Sequence, residues 1–335
     1  MAEQLLQSSP RLPWNVRLFV SAASFFVDSA RRSNLSVNRR LFNFFDYKPS
    51  PLTKPHRNLK SSDVLVSRNL WFRLYTPTST STKLPVIVFF HGGGFVFMSA
   101  ASKPYDDFCQ RLARELPAVV ISVNYRLSPE HRYPSQYDDG LDVLKFIDDR
   151  QNSSLFEAAN LGHCFLAGDS AGGNIAHHVA VRASRHEFDN VKVVGMLAIQ
   201  PFFGGEERTE SETRLKSAPI VNMERTDWMW KAFLPEGSDR DHPVVNVFGP
   251  NAVDISAVDF PATVVFVGGF DPLQDWQRRY YEGLKKRGKQ AELVFFPNAI
   301  HTFYAYPELE DSSAFIHKVR DFVQSRSVAA TDTVH

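Results

Sequence analysis

A chain of 335 residues, 43% apolar and 22% charged, has enough apolar material for one large core and reads as a single principal domain. Its 38 Lys and Arg nearly cancel 37 Asp and Glu, for a net charge of +1, which excludes nucleic acid, a membrane surface and any other polyanion as the main partner and leaves a small molecule. The only cysteines, Cys109 and Cys164, sit in apolar runs with no metal-binding or redox spacing, so a disulfide framework and a zinc site are excluded and a reducing compartment, cytoplasm or nucleus, is expected.

In chain order, the first feature is "RLFVSAASFFVDSARR", whose apolar centre behind Arg11 and Arg17 has the outline of a short secretory signal. It is too short to span a bilayer. Trp14, Leu18, Ala22, Phe25 and Phe26 recur at three- and four-residue steps, which predicts an amphipathic helix packed on the protein through that face. A second short helix and a proline-punctuated linker follow in "NRRLFNFFDYKPSPLTKP", so residues 1–50 form a helical lid segment attached to the domain that comes next.

From Leu70 the pattern changes to short apolar runs, "LWFRLYTP", "LPVIVFF", "AVVISVNY", "HCFLAGDS", "KVVGMLAI", "ATVVFVG" and "AELVFFP", separated by longer amphipathic stretches. Runs of this length bounded by Gly or Pro predict strands buried on both faces, joined by crossover helices into a mostly parallel, doubly wound α/β sheet over residues 51–325. The alternation breaks between about 202 and 251, where "DWMWKAFLP" and several charged turns predict an inserted helical cap; residues 326–335 form a tail. Ligands of such sheets bind beyond the carboxyl ends of the strands, so the residues just after each strand are where chemistry is expected.

Three of those loops carry it. "GDSAGGN" lies between a strand and a helix, the setting of a nucleophile elbow, which lifts Ser170 out of a tight turn; the alternative is a glycine-rich helix cap with Ser170 at the N-cap. A serine hydroxyl needs a base, and the base needs an orienting partner. Asp271 follows "ATVVFVG" and His301 follows "AELVFFP", which gives the order Ser, Asp, His of α/β hydrolases; Asp275 lies one turn into the next helix and is the lesser candidate. "FFHGGGFVF" supplies bare backbone. The N–H groups of Gly93 and Gly94, with that of Ala171 after the nucleophile, can hold the oxyanion of an acyl-transfer reaction, whereas His91 is expected to brace the loop. Phe25, Phe26, Trp228 and Trp230 either close an apolar pocket over the substrate or belong to the core.

"HGGGF", "GDSAGGN", "YRLSPEHRYPSQYDD", "FDPLQD" and "IHTFY" together resemble the plant carboxylesterases of the hormone-sensitive-lipase group of α/β hydrolases, and the resemblance covers nearly the whole chain. It implies a plant source, Ser170, Asp271 and His301 as triad, Gly93, Gly94 and Ala171 as oxyanion donors, and a supporting role for the loop with Arg126 and Glu130. It implies no cofactor, no metal and no obligate protein partner, only a small ester substrate. The N-terminal segment and "DPLQDWQRRYYEGLKK" also resemble the gibberellin receptors, which share the fold and bind a hormone under a helical lid without hydrolysis. In those receptors an aliphatic residue stands where this chain has His301, which favours an enzyme.

Overall fold

Val, Ile and Phe in short runs favour strands because branched and aromatic side chains pack well on a pleated surface covered on both sides. In the computed structural model, which describes residues 10, 12–79 and 82–329, these runs form β2 (Leu70–Pro77), β3 (Leu84–Phe90), β4 (Val119–Asn124), β5 (Ala159–Asp169), β6 (Val193–Ile199), β7 (Ala262–Phe270) and β8 (Ala291–Ile300). An eighth strand, β1 (Leu59–Ser67), was not expected from the sequence. Its "LKSSDVLVS" is half polar because it is an edge strand paired only with β2, with much of its length in solvent, so it lacks the continuous apolar run that marks the others. Among the described residues the sheet order is β1-β2-β4-β3-β5-β6-β7-β8, antiparallel at β1/β2 and β2/β4 and parallel from there on. β8 is the other edge, which is why Pro297 is tolerated inside it.

Period-two alternation divides the core into two layers. In β3, Val86, Val88 and Phe90 pack with α4 (Ser135–Asp148) and α5 (Ala171–Ala183), while Ile87 and Phe89 pack with α3 (Lys103–Glu115) and α9 (Glu310–Ala329). Between β6 and β7 the chain leaves the sheet to form two short helices, α6 (Glu210–Arg214) and α7 (Met223–Phe233), before returning; α8 (Gln274–Lys286) follows β7. α6 starts on a reciprocal cap between Thr209 and Glu212, and α7 on the Asn222 side chain, which accepts from the Arg225 N–H. No described helix is long and apolar enough to cross a membrane.

The N-terminal segment forms α1 (Trp14–Ala30) and α2 (Arg39–Phe45), but α1 turns a different face inward from the one its aromatic spacing predicts. Val16, Val20 and Ala30 are buried, whereas Trp14, Leu18 and Phe25 are 77%, 64% and 66% exposed. Both stripes are apolar, so periodicity finds the helix without choosing its face; the choice falls to the smaller side chains that fit closely against the domain. Arg11, residues 1–9 and most of the expected tail, residues 330–335, lie outside the described residues. Polar contacts fasten the N-terminal segment to α7 and to neighbouring loops. Arg225 grips Asp28 through two bonds of 2.9 and 2.6 Å, Arg31 pairs with Glu224, Trp228 Nε1 donates to the Arg32 carbonyl at 2.8 Å, and Arg39 bridges Glu130 and the carbonyls of Val96 and Ser128.

A second ionic cluster stands behind the sheet. The Arg73 guanidinium, 2% exposed, donates to Asp63, to the Pro49 carbonyl and to Asp106, and Asp106 also accepts from Tyr75 and Gln110. Asp106→Ala leaves a buried cation short of a partner and the Tyr75 hydroxyl unpaired, so a loss on the order of 3 kcal/mol in unfolding free energy is expected by urea titration.

Candidate active site

β5 ends on Asp169, and the chain reverses into α5 within one residue, Ser170. That residue sits at φ 51° and ψ −119°, a region an L side chain rarely occupies, at a cost of roughly 1–3 kcal/mol that the surroundings must hold in place. They do so through backbone bonds: Ser170 N–H donates to the Ile199 carbonyl at 2.9 Å, and its own carbonyl accepts from Phe202 N–H at 2.8 Å. The turn also needs room. A Cβ on Gly172 would lie 1.9 Å from the Phe90 carbonyl oxygen, so only glycine lets α5 start this close to the end of β3.

The glycine loop follows β3 and stands beside the elbow. Gly93 has φ +97°, and a Cβ there would meet the Phe97 carbonyl oxygen at 2.3 Å. Among the described residues the N–H groups of Gly93, Gly94 and Ala171 donate to no protein group, while the neighbouring Gly92 N–H is taken by the Tyr105 hydroxyl at 2.9 Å. Tyr105 in turn donates to Asp169 Oδ2 at 3.0 Å, which ties the loop to the residue before Ser170. Burial pushes the Asp169 carboxyl up to about 6, although Tyr304, His301 and Tyr105 each pull it back. His91 stacks on Tyr125 at 4.3 Å, bonds the Gly92 carbonyl through Nδ1, and is held neutral by burial, which lowers its pKa to about 4. Its place is under the loop, as a brace.

Asp271 follows β7 and His301 follows β8, and the structure brings them into contact: His301 Nδ1 lies 2.7 Å from Asp271 Oδ2. Both are buried, at 0% and 3% exposure. Burial alone would lower the His301 pKa, but the charge of Asp271, its hydrogen bond and the charge of Asp169 outweigh it and leave the imidazole above its ordinary value. The Asp271 carboxylate also accepts from the Leu273 N–H and from the side chains of Gln200 and Gln277. Asp275 is turned elsewhere, accepting from the Ser211 N–H. Ser170 Oγ makes no hydrogen bond to a described residue, and catalytic contacts of this kind commonly tighten only around substrate.

The four aromatic pocket candidates do not gather around one space. Phe25 is turned to solvent, and Phe26 stacks on Phe45 of α2 at 3.8 Å. Trp228 and Trp230 lie about 200° apart around α7, so they cannot share a face; Trp228 stacks near Phe97, and Trp230 on Phe202 at 4.0 Å. The residue between them reaches the loop instead. A Cβ on Gly94 would fall 2.2 Å from Met229 Sδ, so the thioether lies directly over that glycine. A surface groove of about 410 Å3 lined by Phe203, Phe248, Trp276 and Arg279 contains none of these residues.

Residues 87–305, from β3 to just past His301, match the alpha/beta hydrolase fold family. The chain belongs to that family. Among curated proteins this hydrolase-fold chain is 40% identical to a gibberellin receptor of Arabidopsis thaliana, over 96% of its own length and 97% of the receptor's. It is 37% identical to the 3-O-acetylpapaveroxine carboxylesterase of Papaver somniferum, over 82% and 93% of the two chains. Among solved structures it superposes on a Pyrobaculum calidifontis esterase with a TM-score of 0.73 at 27% identity, covering 95% of this chain and 100% of that one. An esterase-type α/β-hydrolase fold with plant relatives is therefore established, with both esterases and hormone receptors among its kin. The sequence reading missed Tyr105, Gln200, Gln277 and Met229: the partners of Tyr105, Gln200 and Met229 lie 13 or more residues away in the chain, and Gln277, only six residues from Asp271, sits in a helix whose sequence does not mark which polar side chain turns back to the carboxylate.

Proposed function

We propose that the protein is a serine carboxylesterase acting on small apolar or aromatic esters. One observation carries this reading: His301 and Asp271 are hydrogen-bonded and buried at the carboxyl ends of two neighbouring parallel strands, the same end of the sheet at which the strained Ser170 stands. Asp271 fixes the proton of His301 on Nδ1 and leaves Nε2 as the base. Ser170 Oγ attacks the ester carbonyl as His301 takes its proton; the carbonyl oxygen becomes an oxyanion received by the unpaired N–H groups of Gly93, Gly94 and Ala171. The protonated imidazole then passes its proton to the departing alkoxide. Water, deprotonated by His301, attacks the acyl-enzyme, and the acid leaves as Ser170 recovers its proton.

The direct test is turnover of p-nitrophenyl esters of graded acyl length by the purified protein. Gly93→Ala examines the oxyanion loop: the added methyl would collide with the Phe97 carbonyl in a backbone region alanine disfavours, so the loop must shift. A drop of roughly 10²- to 10³-fold in kcat, with a much smaller change in KM, is expected from misplaced donors.

A second reading has its own support, since identity to the gibberellin receptor extends through the N-terminal segment as well as the hydrolase domain. On that reading the chain binds a gibberellin-like hormone and does not turn it over. Absence of hydrolysis from every ester, together with saturable gibberellin binding in calorimetry, would establish it in place of the esterase.

A further inference from the structure

We propose that Gln200 is the positioning residue that locks Asp271 and the backbone on both sides of His301 into one frame with the Ser170 elbow. The inference rests on the esterase reading of the site. Gln200 is the first residue after β6, 1% exposed, and its side-chain amide uses both ends. Nε2 donates to Asp271 Oδ2 at 2.9 Å and to the Ile300 carbonyl at 3.1 Å; Oε1 accepts from the Thr302 N–H at 2.8 Å. Ile300 and Thr302 are the neighbours of His301 in the chain, so a single planar amide straddles the imidazole's own peptide and also holds its carboxylate partner.

The backbone around Gln200 completes the frame. The Ile199 carbonyl accepts from Ser170 N–H, Gln200 N–H donates to the Phe266 carbonyl of β7, and Phe202 N–H donates to the Ser170 carbonyl. Three residues of one short stretch, Ile199, Gln200 and Phe202, thus touch the turns that carry Ser170, Asp271 and His301, which come from three different strands. Two further features show that this arrangement is held under constraint. Gln200 has φ +44°, unusual for a side chain of its size, and persists only because so many bonds define it. A Cβ on Gly268 would lie 2.7 Å from Gln200 Nε2, so the amide fits only because β7 has a glycine there. Gln277 also donates to Asp271 Oδ2 but reaches no atom of the His301 loop, and so cannot replace it.

Two carboxylates face His301, Asp271 from the end of β7 and Asp169 from the end of β5. Gln200→Leu keeps the bulk and removes all three side-chain bonds, which lets the Asp271–His301 contact loosen while burial remains. The expected result in folded variant, verified by circular dichroism, is a kcat roughly 100-fold lower with KM within about threefold, since slight misplacement of a reacting group is costly. The acid limb of the kcat/KM profile should move to lower pH as burial gains on a weakened ion pair. The low-field Nδ1 proton of His301 should be lost from the NMR spectrum of 15N-histidine-labelled protein. Wild-type kcat and an unmoved acid limb in folded Gln200→Leu would overturn the proposal. Should the leucine variant not fold, Gln200→Glu serves. It keeps an acceptor for Thr302 but loses its donor when it ionises, so its activity should fall as pH rises where the wild type's climbs; a wild-type profile would overturn the idea equally. The NMR signal separates this inference from the esterase reading, because it needs no turnover. A wild type inactive on esters whose Nδ1 proton is lost in Gln200→Leu supports the clamp and rejects the esterase, and an inactive wild type whose signal survives the substitution rejects both.

Discussion

Ser170→Ala is expected to reduce ester turnover by about 10⁶-fold while leaving a folded protein, because it deletes the only atom that forms the acyl-enzyme bond. The residual rate would come from the Gly93, Gly94 and Ala171 donors acting on bound ester with water as nucleophile, and for comparable sites it lies about 10³- to 10⁴-fold above the uncatalysed reaction. The fold should survive because the elbow is held by backbone bonds, from Ser170 N–H to Ile199 and from Phe202 N–H to Ser170, and the hydroxyl makes none to a described residue. Stopped-flow assay with p-nitrophenyl acetate, beside thermal unfolding, separates the effects. Undiminished hydrolysis by the folded variant would place the nucleophile elsewhere and undo the assignment of Ser170.

Asp271→Asn is the second large effect, about 10⁴-fold in kcat near neutral pH, since an amide at this position can stabilise the wrong tautomer of His301 and cannot balance its positive charge. The pH profile should change with it. In the wild type the base must be neutral, so kcat/KM rises with pH through the His301 pKa, which Asp271 and Asp169 together raise above the ordinary 6.5 against the effect of burial. Without the Asp271 charge, burial takes over and the acid limb should move below that of the wild type. The sign for stability follows from the same shift. A histidine whose folded pKa is raised adds stability that is fully present below its unfolded value and is lost as pH rises through the folded one, so chemical denaturation from pH 6 to 9 should show a decline in the wild type that Asp271→Asn lacks. A decline of equal size in both proteins would mean that the pair is not the source.

Features that depend on neighbours along the chain could be read before the fold was known. The parallel sheet was legible because strands buried on both faces must be continuously apolar, and Ser170 and Asp271 were found just after two such strands; His301 follows β8, an edge strand largely open to solvent whose apolar run "LVFF" still marked it as a strand. The run of glycines after β3 announced a backbone meant to be approached closely, which the clash distances at Gly93 and Gly172 express in ångströms. Where an element was only half apolar or apolar all round, the same reasoning lost its hold. β1 escaped notice because an edge strand has no need of a full apolar run, and α1 offered two apolar stripes, of which the domain accepted Val16 and Val20 and left Trp14 and Leu18 in solvent. The placing of Met229 over Gly94, between two tryptophans that look in other directions, was decided by the rotation of α7 against the glycine loop. Gln200 shows the limit most clearly. Its partners lie 71 to 102 residues further along the chain, and a polar side chain carries no periodic sign of whom it will meet, so only the tertiary structure, by bringing three strand ends together, could give that amide its place.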